Sequence, residues 1–273
     1  MSNPSLFGWL AVVVGVTLFG TACGDDNSGN AAESTSTSAE ATTTTAPKLT
    51  GNITVLAAAS LTESFTEIGK AFETANPGTK VTFSFGASSA LATQANEGAP
   101  ADLFASADEA NMKKVTDTGN ATEPTTFTRN RLSILVGKGN PKGIAALADL
   151  AKSGVTFVLC AVEVPCGKFG QQALDKAGVK ARPKSLEENV KAVVTKVTLG
   201  EADAGLVYVT DAKAAGDKAQ GVDIPDEQNV IAVYPIGALK QSAAPDVAAA
   251  FKAFVLSAAG QQILATYGFL PAA

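Results

Sequence analysis

The stretch that decides the fold is Ile53-Thr54-Val55-Leu56-Ala57-Ala58-Ala59-Ser60-Leu61, and it has a counterpart in Val81-Thr82-Phe83-Ser84-Phe85-Gly86-Ala87-Ser88-Ser89-Ala90-Leu91. In each, an apolar run of strand character (53–58, 81–85) meets a serine and then a helical pattern (61–72, 91–97). At such a junction the serine hydroxyl and the free N–H groups of the first helical turn can point at one spot in front of the helix end. The helix dipole favours negative charge there. Two such junctions in one chain describe a neutral, hydrogen-bonding socket for a small anion.

Outward from these junctions, strands and helices keep alternating. Strands are expected at 53–58, 81–85, 103–105, 132–136, 156–159, 204–209 and 230–234. Helices are expected at 61–75, 88–97, 108–118, 144–151, 169–177, 187–199, 245–258 and 261–267. Ser60 with Glu63, and Ser185 with Glu188, have the spacing of capping boxes. Gly178 and Gly200 stand where helices stop. The alternation predicts an α/β fold with mostly parallel sheets and flanking helices, and leaves open whether it forms one lobe or two.

The start of the chain is different. Residues 1–22 carry no charged side chain, and an apolar run from Leu6 to Phe19 leads through Gly20-Thr21-Ala22 to Cys23. The run is short for a membrane span and suits the h-region of a secretion signal. The small residues before Cys23 resemble a lipoprotein lipobox, in which Cys23 is acylated after cleavage. The n-region has no Lys or Arg, and Gly20 stands where Leu is usual; a plain signal peptide or an uncleaved anchor is the alternative. Residues 24–50 are mostly Gly, Asp, Asn, Ser, Thr, Ala and Glu with little that is apolar, so 23–50 is expected to be a disordered, flexible tether. The layout predicts an exported domain held at the outer face of the cell membrane by lipidated Cys23. The only tryptophan, Trp9, falls in the signal segment.

Composition removes whole classes of function. The chain has no histidine, which excludes Ser–His–Asp and Cys–His catalysis and most zinc sites. A net charge of -5 with no basic patch argues against nucleic acid. Cys160 and Cys166 lie close together in an exported chain, so a disulfide is expected; two free thiols are the alternative. A loop that short gives only about 2 kcal/mol in the chain-entropy model, so the bridge would chiefly hold the Val162-Glu163-Val164-Pro165 loop.

The first junction, together with Phe85-Gly86-Ala87-Ser88-Ser89, the block Gly98-Ala99-Pro100-Ala101-Asp102-Leu103-Phe104-Ala105-Ser106-Ala107, Val164-Pro165-Cys166-Gly167, Glu188-Asn189-Val190, Ala204-Gly205-Leu206-Val207-Tyr208 with Asp211, and Tyr267-Gly268-Phe269, resembles the periplasmic-type molybdate-binding proteins. These are the substrate-binding components of ABC importers. The resemblance runs in order from Gly51 to Leu270. It implies a two-lobed periplasmic-binding-protein fold of type II with the ligand cleft between the lobes. Residues 51–131 with 236–273 would form lobe I and 132–235 lobe II, hinged on strands near Leu132 and Val233.

Carried over by position, the oxyanion would be held by the hydroxyl and N–H of Ser60 and Ser88, the N–H of Cys166 and Val190, and the phenol of Tyr208. Many family members have alanine at the position of Cys166, which a backbone donor tolerates. The implied function is capture of molybdate, and tungstate with it, for delivery to an ABC permease by a monomeric protein that is not an enzyme and carries no cofactor. An ionised oxyanion only accepts hydrogen bonds, so a donor-only set suits it, and a protonated phosphate would lack an acceptor. Sulfate or phosphate as the ligand is the alternative within the class. An exported serine hydrolase lacks a base, since no Ser-x-x-Lys occurs at Ser60 or Ser88, and an adhesion module lacks the many short strands. Taken singly, Ser60 is an ordinary N-cap, Ser88 a loop residue, Tyr208 a core tyrosine, Asp102 a structural cap, and the lysines solvated surface.

Overall fold

The strand Gly51–Ala58 (β1) is buried at Ile53 and at every residue from Val55 to Ala58, as a strand covered on both faces must be. In the computed structural model, which describes residues 49–273, β1 lies between Thr79–Gly86 (β2) and Leu103–Ala105 (β3) and runs parallel to both. The signal segment 1–22, Cys23 and nearly all of the expected tether lie outside the described residues. A 3-10 turn, Ala59–Leu61, leads from β1 into Thr62–Ala75 (α1). Its buried Phe65, Ile68 and Phe72 form one apolar stripe at helical spacing. Ser88–Asn96 (α2) and Glu109–Thr116 (α3) follow β2 and β3.

Two long strands then tie the molecule together. Ala121–Gly137 (β4) pairs antiparallel with Ile231–Leu239 (β9) as far as Arg131, and from Leu132 onward with Ala204–Tyr208 (β7) and Ala219–Asp223 (β8). Beyond β7 the sheet continues parallel through Phe157–Cys160 (β5) to Ser185–Glu187 (β6). The order is β2-β1-β3-β9-β4-β7-β5-β6, with β8 beside β4. Pairings are parallel within each wing and antiparallel wherever β4 or β9 takes part, so "mostly parallel" describes the wings and not the strands that join them. Pro165–Lys176 (α4), Val190–Thr198 (α5) and Val209–Ala214 (α6) flank the second wing; Pro245–Leu256 (α7) and Ala258–Tyr267 (α8) return to the first.

Aromatic side chains fill the first wing: Phe65 sits against Phe83, Phe127 and Phe251, and Phe72 against Phe251 and Phe254. Tyr234 on β9 stands between Phe127, Tyr208 and Phe269. No single described helix is long and apolar enough to cross a membrane.

Several local expectations change. Neither serine–glutamate pair is a capping box. Ser60 turns toward Tyr234 instead of the helix, and Glu63 reaches Lys191. Ser185 belongs to β6, and α5 is capped by Asn189, whose Oδ1 accepts from the N–H of Ala192. Residues 144–151 contain only the 3-10 turn Leu147–Ala151. Asp102 is the cap expected of it: its carboxylate accepts from Ser242 Oγ, from the N–H groups of Ala243 and Ala244, and from that of Thr54.

Candidate functional site

The strands β1, β2, β3, β5, β6 and β7 all end toward one region, where α/β sheets bind ligands. A small cleft with about 210 Å³ of empty space lies there, lined by Ala58, Ser60, Gly86, Ser88, Ala107, Val164, Cys166, Asn189, Val190 and Tyr208 among others. It brings together Ser60, Ser88, Cys166, Val190 and Tyr208, from five separate segments. All five are buried.

Each has a local reason for its place. Ser60 lies in the tight turn that redirects the chain from β1 into α1. Ser88 is the first residue of α2; its neighbour Ala87 is the N-cap and has no side chain to cap with, so first-turn N–H groups stay open. The same holds at α4, where Val164 is the N-cap, Pro165 fills the first position and Cys166 the second. Val190 opens α5, where Asn189 occupies the N–H of Ala192 and leaves those of the first positions free. Tyr208 ends β7. Three helical N-termini, those of α2, α4 and α5, therefore face one small volume beside the turn that holds Ser60, and no Asp, Glu, Lys or Arg lines it.

The hydroxyls are set to donate. Ser88 Oγ accepts from the N–H of Ala107 at 2.9 Å, which leaves its own proton available to the cleft. The Tyr208 phenol is 1% exposed and has no hydrogen-bond partner. An orphaned phenol in a core is costly, by about 1–3 kcal/mol, unless something absent from the chain itself accepts from it. Burial, with the neighbouring Tyr234, Asp108 and Asp211, pushes its pKa well above the ordinary phenol value, so it remains a donor. Cys166 keeps its side chain out of this chemistry: it is joined to Cys160 at the end of β5, with Cα atoms 5.7 Å apart.

Charges stand just outside the lining. Lys191, beside Val190, binds both oxygens of Glu63 on α1 at 2.9 and 2.8 Å and lies 2.9 Å from Asp211 Oδ1. Burial works against its charge, but the carboxylates of Asp211 and Glu63 outweigh that and raise its pKa. Asp211 is itself shifted up, by burial that Lys191 only partly offsets. Across the cleft, Lys168 on α4 approaches Asp108 at 3.7 Å. The expectation that every lysine is solvated surface fails at Lys191, which joins residues 128 positions apart. Tyr234 and Ala107 were likewise not foreseen as parts of the site. A tyrosine within the apolar run Val230 to Ile236 was the available signal for the first. Among the described residues no cluster of His, Cys, Asp and Glu could hold a metal ion.

An α/β scaffold with a donor-lined cleft at its strand ends, and no carboxylate or cationic side chain within, is the arrangement of a solute-binding protein. The profile described as "Bacterial extracellular solute-binding protein" matches residues 53–270, and the chain belongs to this family. The "Molybdate-binding protein ModA" of Mycobacterium tuberculosis is 45% identical over 219 residues, covering 80% of this chain and 84% of that protein. Two solved structures share the fold. The periplasmic molybdate-binding protein of Azotobacter vinelandii is 21% identical, with a TM-score of 0.71 over 80% of this chain and 98% of that one. The sulfate-binding protein SubI of M. tuberculosis is 22% identical, with a TM-score of 0.73 over 81% and 86%. These relatives are binding proteins, not enzymes, and at such identities the two structures speak for the fold alone.

Proposed function

We propose that this chain is the extracytoplasmic molybdate-binding component of an ABC importer, holding the oxyanion through Ser60, Ser88, Cys166, Val190 and Tyr208. The observation that carries the reading is the buried, unpartnered phenol of Tyr208, turned into a cleft whose other polar groups are also donors. A fully ionised tetrahedral oxyanion presents only acceptors, and charge-assisted hydrogen bonds contribute about 1.5–3 kcal/mol each. Helix N-termini add partial positive charge without a cation to be displaced. The identity to ModA proteins supports molybdate over other oxyanions of equal charge.

The same reading takes tungstate as a second ligand, because its oxygens have the same charge and nearly the same geometry. It divides the fold into lobe I (51–131 with 236–273) and lobe II (132–235), which agrees with β4 changing partner at Leu132. Cys23 carries the lipid anchor, the Cys160–Cys166 bridge forms on export, and the protein works as a monomer facing its permease.

Sulfate is the second reading, favoured only by the shared fold of SubI. Calorimetric titration with molybdate, tungstate, sulfate and phosphate tests both. Molybdate and tungstate should bind far more tightly than sulfate, because a cleft shaped for longer metal–oxygen bonds leaves sulfate short of some donors. Sulfate binding as tightly as molybdate overturns the assignment.

A further inference from the structure

Two donors of the cleft, the N–H groups of Cys166 and Val190, belong to the backbone, and such donors measure an ion only as well as their spacing is held. Little in α4 itself holds its start. Its N-cap, Val164, makes no side-chain hydrogen bond, and Pro165 at the first position has no N–H. The bonds that shape the turn are local: the N–H of Val164 donates to the carbonyl of Ala161, and those of Gly167 and Lys168 donate to the carbonyl of Val164. They leave the loop 161–165 and the first turn of α4 free to shift as one piece, and the outer side of the loop is open, with Val162 63% exposed. The bridge from Cys160 to Cys166 crosses this piece, and Cys160 also refers to the other donor. It pairs with Glu187 across β5 and β6, and the N–H of Ala161 donates to the carbonyl of Glu187 at 2.9 Å. Glu187 lies three positions before Val190, whose helix Asn189 caps. One residue therefore carries both arms, a covalent one to Cys166 and a strand-paired one toward Val190.

We infer that Cys160 is a positioning residue that sets the ion-size selectivity of the cleft: through the disulfide and through β6 it fixes the separation of the Cys166 and Val190 donors at the span a molybdate-sized ion needs. It does not line the cleft itself. A tethered pair of donors cannot draw in around the shorter bonds of sulfate, so the smaller ion forgoes one of them. An untethered pair can follow it, at the cost of ordering the loop each time an ion binds. The bridge is shielded, with Cys160 1% and Cys166 2% exposed, so the folded protein keeps it out of reach of thiols in solution and the tether is permanent. Its contribution to stability is modest, because the two cysteines are only 6 positions apart; its larger effect falls on recognition. The inference deepens the reading given under Proposed function and rests on it for the ligand's identity, but the tethering of α4 through Cys160 stands without any ligand.

Peptide mapping of the exported full chain without reduction comes first; free thiols at both Cys160 and Cys166 overturn the inference. Calorimetry with molybdate, tungstate and sulfate then compares wild type with Cys160→Ala and with the double variant Cys160→Ala/Cys166→Ala, which keeps the N–H at position 166 and removes the stranded thiol. Val197→Ala, a buried truncation at the far end of α5, is the control. Both bridge-less proteins are expected to bind molybdate and tungstate about tenfold more weakly and sulfate within about twofold of wild type, narrowing the molybdate-to-sulfate ratio about fivefold. Val197→Ala should lower Tm and keep the ratio, so that lost stability alone does not move the readout.

An unchanged ratio in the bridge-less proteins, or an equal narrowing in Val197→Ala, overturns the inference. So does failure of both bridge-less proteins to fold, because a link whose main effect is on recognition is not required for folding. Amide hydrogen exchange reads the tether with no ligand present: the N–H groups of Val164, Gly167 and Lys168 should exchange faster in Cys160→Ala while those of the first wing keep their rates. Unchanged protection at these three overturns the inference even if the ratio moves. Wild type failing to prefer molybdate over sulfate would defeat the functional reading while leaving this exchange arm intact.

Discussion

The cleft has two walls built on different principles. The wall formed by Ser60, Ser88 and Ala107 presents hydroxyls held by buried hydrogen bonds: Ser88 Oγ accepts from the N–H of Ala107, and Ser60 Oγ shares a bond with the Tyr234 hydroxyl. The wall formed by Val164, Cys166, Asn189 and Val190 presents backbone N–H groups at the starts of α4 and α5, and adds one phenol from β7. A side-chain donor is specified by residue type and can be lost in one substitution. A backbone donor is specified by where a helix begins and survives almost any change of side chain. The first wall is therefore vulnerable to chemistry and the second to geometry.

Geometry gives the largest expected effect. Gly167, in the first turn of α4, lies so close to the preceding loop that an added Cβ would stand 2.0 Å from the carbonyl oxygen of Ala161 and 2.4 Å from that of Cys160. Backbone atoms cannot swing away as a flexible side chain can, so the helix start must move. Gly167→Ala is expected to cost about 3 kcal/mol or more in urea unfolding and to abolish ligand binding by displacing the N–H of Cys166. Near-normal stability and affinity would mean that α4 is not held where the second wall needs it.

Next comes the residue that ties the walls together. Lys191→Met leaves Asp211 buried without its cation and frees Glu63 on the opposite wall. Breaking a buried pair costs about 3–5 kcal/mol, and the 27% exposure of the Lys191 side chain points to the lower end, about 3. The sign with pH follows from the raised pKa. The contribution is complete below the unfolded value of 10.5 and is lost as pH rises through the higher folded value. Unfolding followed from pH 7 into the alkaline range should show wild type losing this advantage over Lys191→Met as Lys191 deprotonates; an advantage that does not decline with rising pH would contradict the pairing.

The difference between the walls also explains what could be read from the sequence. Ser60 and Ser88 were legible because a serine at a strand-to-helix junction carries its chemistry in its side chain. Cys166 and Val190 carry none, so only resemblance to a family pointed to them. Tyr234 stayed unread because its hydroxyl bond spans 174 residues, beyond any local pattern. The α/β alternation was visible in the apolar runs, but the first part of β4 was not. Pro124 and the register shifts between Thr122 and Thr128 interrupt its pattern, and its pairing with β9 depends on residues more than a hundred positions away. Short β6, with exposed Leu186, and edge strand β8, largely exposed, lack the burial that makes a strand recognisable.

Tyr208 belongs to the second wall but obeys the rule of the first. Tyr208→Phe removes a donor that has no partner within the protein. It is expected to weaken molybdate binding by about 1.5–3 kcal/mol, the size of one charge-assisted hydrogen bond, and to leave ligand-free stability unchanged or slightly higher. Calorimetry and thermal melting measure the two halves. A stability loss without an affinity loss would make Tyr208 an ordinary core residue.

The finest test of the contrast is at Val190, where side chain and donor can be separated. Val190→Ala trims a side chain that is 3% exposed but keeps the N–H, so stability should fall by about 1–2 kcal/mol while affinity stays within about twofold. Val190→Pro does the reverse. Val190 is the first residue of α5, the helical position where proline is best tolerated, and Asn189 before it is already extended at φ -158 and ψ 172, as a residue preceding proline requires. Pro165 occupies the same position in α4. Val190→Pro should therefore fold, keep α5, and lose affinity by about one hydrogen bond. If the alanine variant loses affinity and the proline variant does not, the second wall binds through side chains after all, and the distinction between the walls falls.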